Sequence, residues 1–152
     1  MNTLRSSAHT VGEANLHLQF TPAYRRDVFV PRALRDITTS LFVEQAKKLG
    51  VTLAALDYGP DHVHLFLENW KHWSISVLAQ RLKGAVSHAL RASYAYLFED
   101  KLWGDKFWTC GYFYRTVGAV TAETVRRYVA ESQSKHWQER DTASQKTLLN
   151  YH

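Results

Sequence analysis

Gly59-Pro60-Asp61 leads without a spacer into His62-Val63-His64-Leu65-Phe66-Leu67-Glu68, a turn signal followed at once by a short strand pattern. Successive side chains of a strand point to opposite faces, so His62 and His64 share one face while Val63, Leu65 and Leu67 share the other. Such a strand has to lie in a sheet with its apolar side covered. Residues two apart along a strand lie roughly 6.5 to 7 Å apart, close enough for two imidazoles to converge on one ion. Two neutral imidazoles leave several positions of a metal open, which suits gripping and polarising a phosphate or carbonyl oxygen rather than a closed structural role. A core strand whose polar face merely happens to carry histidines reads the same way.

The flanking chain supplies a sheet for this strand. Leu16, Leu18 and Phe20 alternate with His17 and Gln19, a strand with one buried face that Thr21-Pro22 ends. Before it, residues 1–14 show little periodicity and read as a flexible arm. Pro31 suits a helix start and Gly50 a helix stop, with Leu34, Ile37, Leu41, Gln45 and Leu49 marking the face between them. Val51 to Leu56 reads as the next strand, and Asp57 to Asp61 as a tight turn into the histidine strand. Ser74 or Ser76 caps a long helix to about Leu97, with Leu78, Leu82, Ala85, Val86, Ala89 and Leu90 inward. Gly84 inside it costs about 1 kcal/mol against Ala and signals close approach by something. Tyr112 to Val117 is a further strand; Thr121 then caps a last helix, Ala122 to about Trp137, before a loose tail over 138–152.

Strand, helix, strand, strand, long helix, strand is the order of the ferredoxin-like, or RRM-like, plan. It predicts an α+β fold with a four-stranded antiparallel sheet and two helices on one face. The C-terminal helix is extra to that plan. A chain of 152 residues with 45% hydrophobic content fits a single domain over 1–152.

Nineteen Lys and Arg against 14 Asp and Glu leave a net charge of +5, which favours a polyanionic partner. Several basic residues sit beside aromatics or on helix faces. Tyr24-Arg25-Arg26 is a loop suited to phosphate contact, and Trp103 and Lys106 lie in an aromatic loop suited to stacking unpaired bases. Arg81 and Lys83 lie on the polar face of the long helix, and Arg126 and Arg127 directly precede Tyr128. Each taken singly also describes an ordinary solvated surface. One cysteine, Cys110, excludes an internal disulfide and fits a reducing compartment. Neither a membrane-span-length apolar run nor a signal-peptide block is present, so the expectation is a cytoplasmic protein with no membrane partner.

In this order and spacing, the segments resemble the single-tyrosine transposases of bacterial insertion sequences in the HUH superfamily, whose relatives include REP-associated tyrosine transposases. The residues that carry the resemblance are the His17 strand leading to Tyr24-Arg25, then Pro60-Asp61-His62-Val63-His64-Leu65, then Leu82-Lys83-Gly84. Leu102-Trp103-Gly104 with Trp108, and Tyr128-Val129 followed by Ser132-Gln133, complete it. The resemblance implies binding of hairpin single-stranded DNA ends, and cleavage and rejoining of strands through a 5′-phosphotyrosine on Tyr128. It implies Mg²⁺ or Mn²⁺ on His62, His64 and Gln133, and a homodimer with composite active sites. One departure stands out. The family's glutamine follows the tyrosine by four residues, whereas Gln133 follows Tyr128 by five (133 − 128 = 5). At about 100° per residue, five steps separate two helical side chains by about 140° rather than about 40°. Either a π-bulge realigns Gln133, or Glu131 or Ser132 substitutes as the third ligand. The rival readings are a catalytically inactive or domesticated relative that binds structured single-stranded DNA, a metal-dependent hydrolase, and an RNA-binding ferredoxin-like domain.

Overall fold

A computed structural model describes residues 5–7, 10–12 and 15–117. The expected C-terminal helix with Arg126, Arg127, Tyr128, Glu131, Ser132 and Gln133, and the tail beyond it, lie outside the described residues. Within them, strands β1 (Arg5–Ser7) and β2 (Thr10–Gly12) pair antiparallel, so part of the stretch read as a featureless arm is a short ribbon. The main sheet contains β3 (Asn15–Phe20), β4 (Thr52–Gly59), β5 (His62–Glu68) and β6 (Phe113–Val117), in the order β4-β5-β3-β6 with every pair antiparallel. Helices α1 (Arg32–Leu49) and α2 (Ile75–Ser93) cover one face, burying Leu16, Leu18, Phe20, Val63, Leu65 and Leu67 against Leu34, Phe42, Leu78, Leu82, Val86 and Leu90. The ferredoxin-like plan expected from the element order is therefore present.

Local chemistry sets the helix limits. Pro31 precedes the first turn of α1, and Gly50 ends it at φ 71°, where a side chain would be strained. Ser74, not Ser76, caps α2, its hydroxyl accepting from the Val77 amide at 3.2 Å. The stripe of α1 differs from the one expected: Leu34, Thr38, Phe42 and Ala46 are buried, while Ile37, Leu41 and Leu49 flank them and Gln45 is half-buried. Phe42 decides this, because its ring packs 6.0 Å from Phe20 and 6.1 Å from Trp108. Helix α2 stops at Ser93 and passes into a 3₁₀ turn, Ala95–Leu97, earlier than expected. A Cβ added at Gly84 would meet nothing within 4 Å, so the close approach expected there is not made by the described residues.

The expected turn over Asp57 to Asp61 is also corrected. β4 runs on to Gly59, with Asp57 opposite His64, Tyr58 opposite Val63 and Gly59 opposite His62, and the turn shrinks to Pro60 and Asp61. Tyr58 holds this extension: its ring lies 5.0 Å from Phe29 and its hydroxyl bonds to Thr39 Oγ1 at 2.9 Å and donates to the Arg35 carbonyl at 3.1 Å. Asp57 is thereby carried into the sheet, 4% exposed, with Oδ1 lacking a hydrogen-bond partner among the described residues. Burial pushes its carboxyl up to about 7, against a smaller opposing pull from the backbone at Tyr58.

Helix α2 also pins the aromatic loop. Lys83 Nζ donates to the carbonyls of Thr109 at 2.7 Å, Gly111 at 2.9 Å and Cys110 at 3.4 Å, and Arg91 donates to Leu102 and Lys106 carbonyls at 3.2 and 2.6 Å. Lys83, expected on a DNA-facing surface, is a half-buried strut whose ammonium turns inward to the loop. Trp108 and Phe107 are core residues, and Trp108 Nε1 donates to the Lys83 carbonyl at 3.1 Å.

Two measurements probe these points. Lys83→Met keeps the stem and removes the donors, so it should cost about 1–3 kcal/mol of stability in urea denaturation; unchanged stability with weakened DNA binding would return Lys83 to the DNA surface. For Asp57, the carboxyl is raised from 3.8 in the open chain to about 7 in the fold, so the folded state holds the extra proton between those values. That contribution to stability is fully present below pH 4 and is lost as pH rises through 7. In metal-free buffer, Asp57→Asn should match wild type near pH 4 and exceed it by on the order of 3 kcal/mol at pH 8; parallel pH profiles would refute the assignment.

Candidate active site

The face of the sheet opposite the helices carries polar residues in cross-strand rows. One row runs Asp57, His64, Gln19, Phe113 across β4, β5, β3 and β6, and the next runs Ala55, Phe66, His17, Arg115. Strand alternation thus delivers three histidines to one place: His62 and His64 from β5, and His17 from β3. The His62 and His64 ring centroids are 4.7 Å apart and nearly perpendicular, and His17 and His64 are 4.8 Å apart.

Each of the β5 histidines has its Nδ1 engaged. His62 Nδ1 lies 3.0 Å from Asp61 Oδ1, and Asp61 in turn faces the Arg25 guanidinium at 3.6 Å. His64 Nδ1 lies 2.7 Å from His17 Nε2. The His17 ring is stacked on Phe66, centroids 4.4 Å apart and planes 13° apart, which limits its rotation. Burial, and secondarily the nearby Arg115 charge, lower the basicity of His17, so its neutral form is favoured. Gly59 is equally constrained, for a Cβ there would overlap the His62 ring. Only glycine lets that ring lie across β4.

Engagement of Nδ1 on both rings is the arrangement that orients histidines toward a metal through Nε2, so the pair fits a divalent ion as a partial donor set. Among the described residues no three His, Cys, Asp or Glu side chains converge as a ligand set. Further donors would have to come from the substrate, from water or from residues outside 15–117.

Beside the pair lies a basic and aromatic surface. Tyr24 and Arg25 adopt left-handed backbone at φ 58° and 52°, a conformation costly for side-chain-bearing residues, and Tyr24 is 84% exposed. The Ala23 amide donates to the Phe107 carbonyl at 2.8 Å, which holds this turn against the aromatic loop. Arg26 stands over the exposed Trp103 ring, its guanidinium carbon 5.7 Å from the centroid. Lys106 is exposed, donates to Cys110 Sγ at 2.9 Å and lowers the pKa of that thiol. Arg81 is exposed on α2. Tyr24, Arg25, Arg26, Trp103 and Lys106 therefore form one surface, whose loop Arg91 holds at the Leu102 and Lys106 carbonyls and Lys83 at those of Thr109 to Gly111. Tyr128, Gln133, Glu131, Ser132, Arg126 and Arg127 lie outside the described residues.

His17, Asp57 and Gly59 escaped notice as site residues from sequence. His17 had a signal, since alternation put it on the polar face of its strand and the ferredoxin-like plan sets that strand beside the histidine strand, but the register that brings its ring to His64 is not written locally.

The chain matches the family model for IS200-like transposases over residues 10–132. It is 29% identical over 128 residues to the ISDra2 transposase TnpA of Deinococcus radiodurans, covering 82% of this chain and 88% of that protein. To the transposase for insertion sequence element IS200 of Salmonella typhimurium it is 29% identical over 151 residues, 99% of this chain and 94% of that one. A crystal structure of a candidate transposase from Deinococcus radiodurans R1 superposes with a TM-score of 0.65 at 25% identity, over 84% of this chain and 96% of that chain. A REP-associated tyrosine transposase bound to a REP hairpin shares the fold, with a TM-score of 0.52 at 10% identity over 82% of this chain and 67% of that one. A family match that takes in the whole sheet, both helices and the histidine hairpin means that this chain belongs to the IS200-like transposases.

Proposed function

We propose that this transposase binds hairpin single-stranded DNA at the ends of an insertion sequence and cleaves and rejoins strands through a 5′-phosphotyrosine on Tyr128. The observation that carries the reading is the histidine pair on the open face, each Nδ1 already engaged, beside an exposed surface of Arg25, Arg26, Trp103 and Lys106. His62 and His64 are the described candidates to hold Mg²⁺ or Mn²⁺, with Gln133 or, failing it, Glu131 or Ser132 completing the set. When bound, the ion would draw electron density from the scissile phosphate.

The chain's own residues supply the rest. Tyr24 and Trp103 offer ring faces to unpaired bases, and Arg25, Arg26 and Lys106 offer cations to the backbone; Arg81, Arg126 and Arg127 extend that charge. The Tyr128 phenol oxygen attacks phosphorus, a phosphorus–oxygen bond to the phenol forms, and the bond to the 3′ oxygen breaks. The phenolic proton leaves, and the departing 3′ oxygen ends as a hydroxyl. Because the link is itself a phosphodiester, the free 3′ hydroxyl can attack in reverse and join strands without a nucleotide cofactor. A homodimer with composite sites would bring the Tyr128 of one protomer to the histidines of the other. The i+5 spacing of Gln133 from Tyr128 favours the second reading, a structured single-stranded DNA-binding relative that does not cut.

A hairpin oligonucleotide with an adjacent cleavable strand, incubated with protein and Mn²⁺, should give a covalent adduct on a denaturing gel. Tyr128→Phe should give none, and His64→Ala should slow adduct formation by at least about 10²-fold. An adduct that survives Tyr128→Phe defeats the nucleophile assignment, and tight binding with no adduct from wild type selects the non-cutting reading. Gly59→Ala, which displaces the His62 ring, should lose cleavage while still shifting the hairpin in a gel; loss of both together would place Gly59 in folding instead.

A further inference from the structure

We infer that His17 is the positioning residue that sets the tautomer and orientation of His64, so that His64 presents Nε2 to the divalent ion; the inference rests on the metal reading above. His17 Nε2 and His64 Nδ1 are 2.7 Å apart, and one hydrogen must lie between them. If His17 donates it, a neutral His64 carries its own proton on Nε2 and has no lone pair there for a metal. If His64 donates it, Nε2 of His64 is a donor nitrogen for the ion. The two tautomers differ in whether His64 can be a ligand at all through that atom.

Two features of the fold fit the second arrangement, which the metal reading requires. On the neighbouring histidine, Asp61 Oδ1 sits 3.0 Å from His62 Nδ1, and a carboxylate accepts only, so His62 carries its proton on Nδ1 and offers Nε2. A matching tautomer on His64 makes the two rings, 4.7 Å apart, equivalent in the nitrogen they offer. His17 is held flat on Phe66 and is the direct cross-strand partner of both Phe66 and Arg115, so the position of its Nε2 is fixed by β5 and β6 together rather than by His64. The sequence separation of 47 residues makes this a contact that only the sheet order creates.

The test reads tautomers and metal affinity rather than turnover. Long-range ¹H–¹⁵N spectra of the metal-free full chain at pH 8, where imidazoles are neutral, should show His64 protonated on Nδ1. In His17→Phe, which keeps the stack on Phe66 and removes the acceptor, that population should shift toward Nε2–H. Mn²⁺ affinity, read as free ion by electron paramagnetic resonance, should fall about 10- to 100-fold. His17→Gln, whose amide oxygen can accept from Nδ1–H, should recover most of both signals, which a purely structural role for the ring would not predict. His64 protonated on Nε2 in wild type, or a tautomer and affinity unchanged in His17→Phe, overturns the inference. If wild type binds no Mn²⁺ yet shows the expected tautomer and its shift, the positioning role stands and the metal reading falls.

Discussion

The burial of Val63, Leu65 and Leu67 is what aims the histidines. β5 is paired on both edges, with β3 and β4, and the side-chain period of a strand is two, so a slip of one residue would exchange its faces. Those three side chains are fully buried under α1 and α2. At roughly 1.5 to 3 kcal/mol each, they oppose such a slip by roughly 5 to 9 kcal/mol, more than any hydrogen bond the histidines make. His62 and His64 are thus placed on the open face by the apolar residues between them. The site is a by-product of the core's register, which keeps it rigid without spending its own polar contacts on the task.

The second support is α2, and it changes how the positive charge should be read. Lys83 looks from sequence like a cation on a solvated helix face, yet it and Arg91 both donate to carbonyls of the loop between Leu102 and Gly111. That loop has little regular backbone pairing of its own, so its carbonyls need donors, and the helix provides them. The cost is that these charges are partly withdrawn from solvent; burial lowers the pKa of both. The return is a loop stiff enough to hold Trp103 out, 77% exposed, with Arg26 over its ring. Counting basic residues therefore overstates the charge open to solvent, while the loop they build is what gives the remaining cations a fixed address.

Features with a local cause were legible in the sequence. Pro31 and Gly50 bracket α1, Ser74 caps α2, and alternation in β3 and β5 reports the buried face, because each depends on neighbours a few residues away. The ferredoxin-like order followed from these. What failed depended on partners far along the chain. Asp57 looked like a turn residue because Gly59 and Pro60 follow it, but Tyr58 packs on Phe29 and β4 runs on from Leu56 to Gly59. The α1 stripe turned on Phe42, whose ring meets Phe20 and Trp108 from two other elements. In the candidate site, the histidine pair was visible as a motif, whereas the partners of each Nδ1 divide by distance: Asp61 is adjacent to His62, and His17 reaches His64 only because β3 and β5 pair.

Sheet direction bears on where a tyrosine beyond β6 can act. Phe113 lies in the row of Gln19 and His64, and the chain then runs to Val117, opposite Asn15 at the other end of the sheet. Four steps at about 3.3 Å carry it roughly 13 Å away from the histidines before Gly118. Eleven further residues lead to Tyr128, enough to span up to roughly 36 Å if extended, so reach alone does not restrict the path. Under the proposed phosphotyrosine chemistry, a composite site in a homodimer would bring the Tyr128 of one protomer to the histidine pair of its partner, and the described sheet carries that pair at the end opposite to Val117.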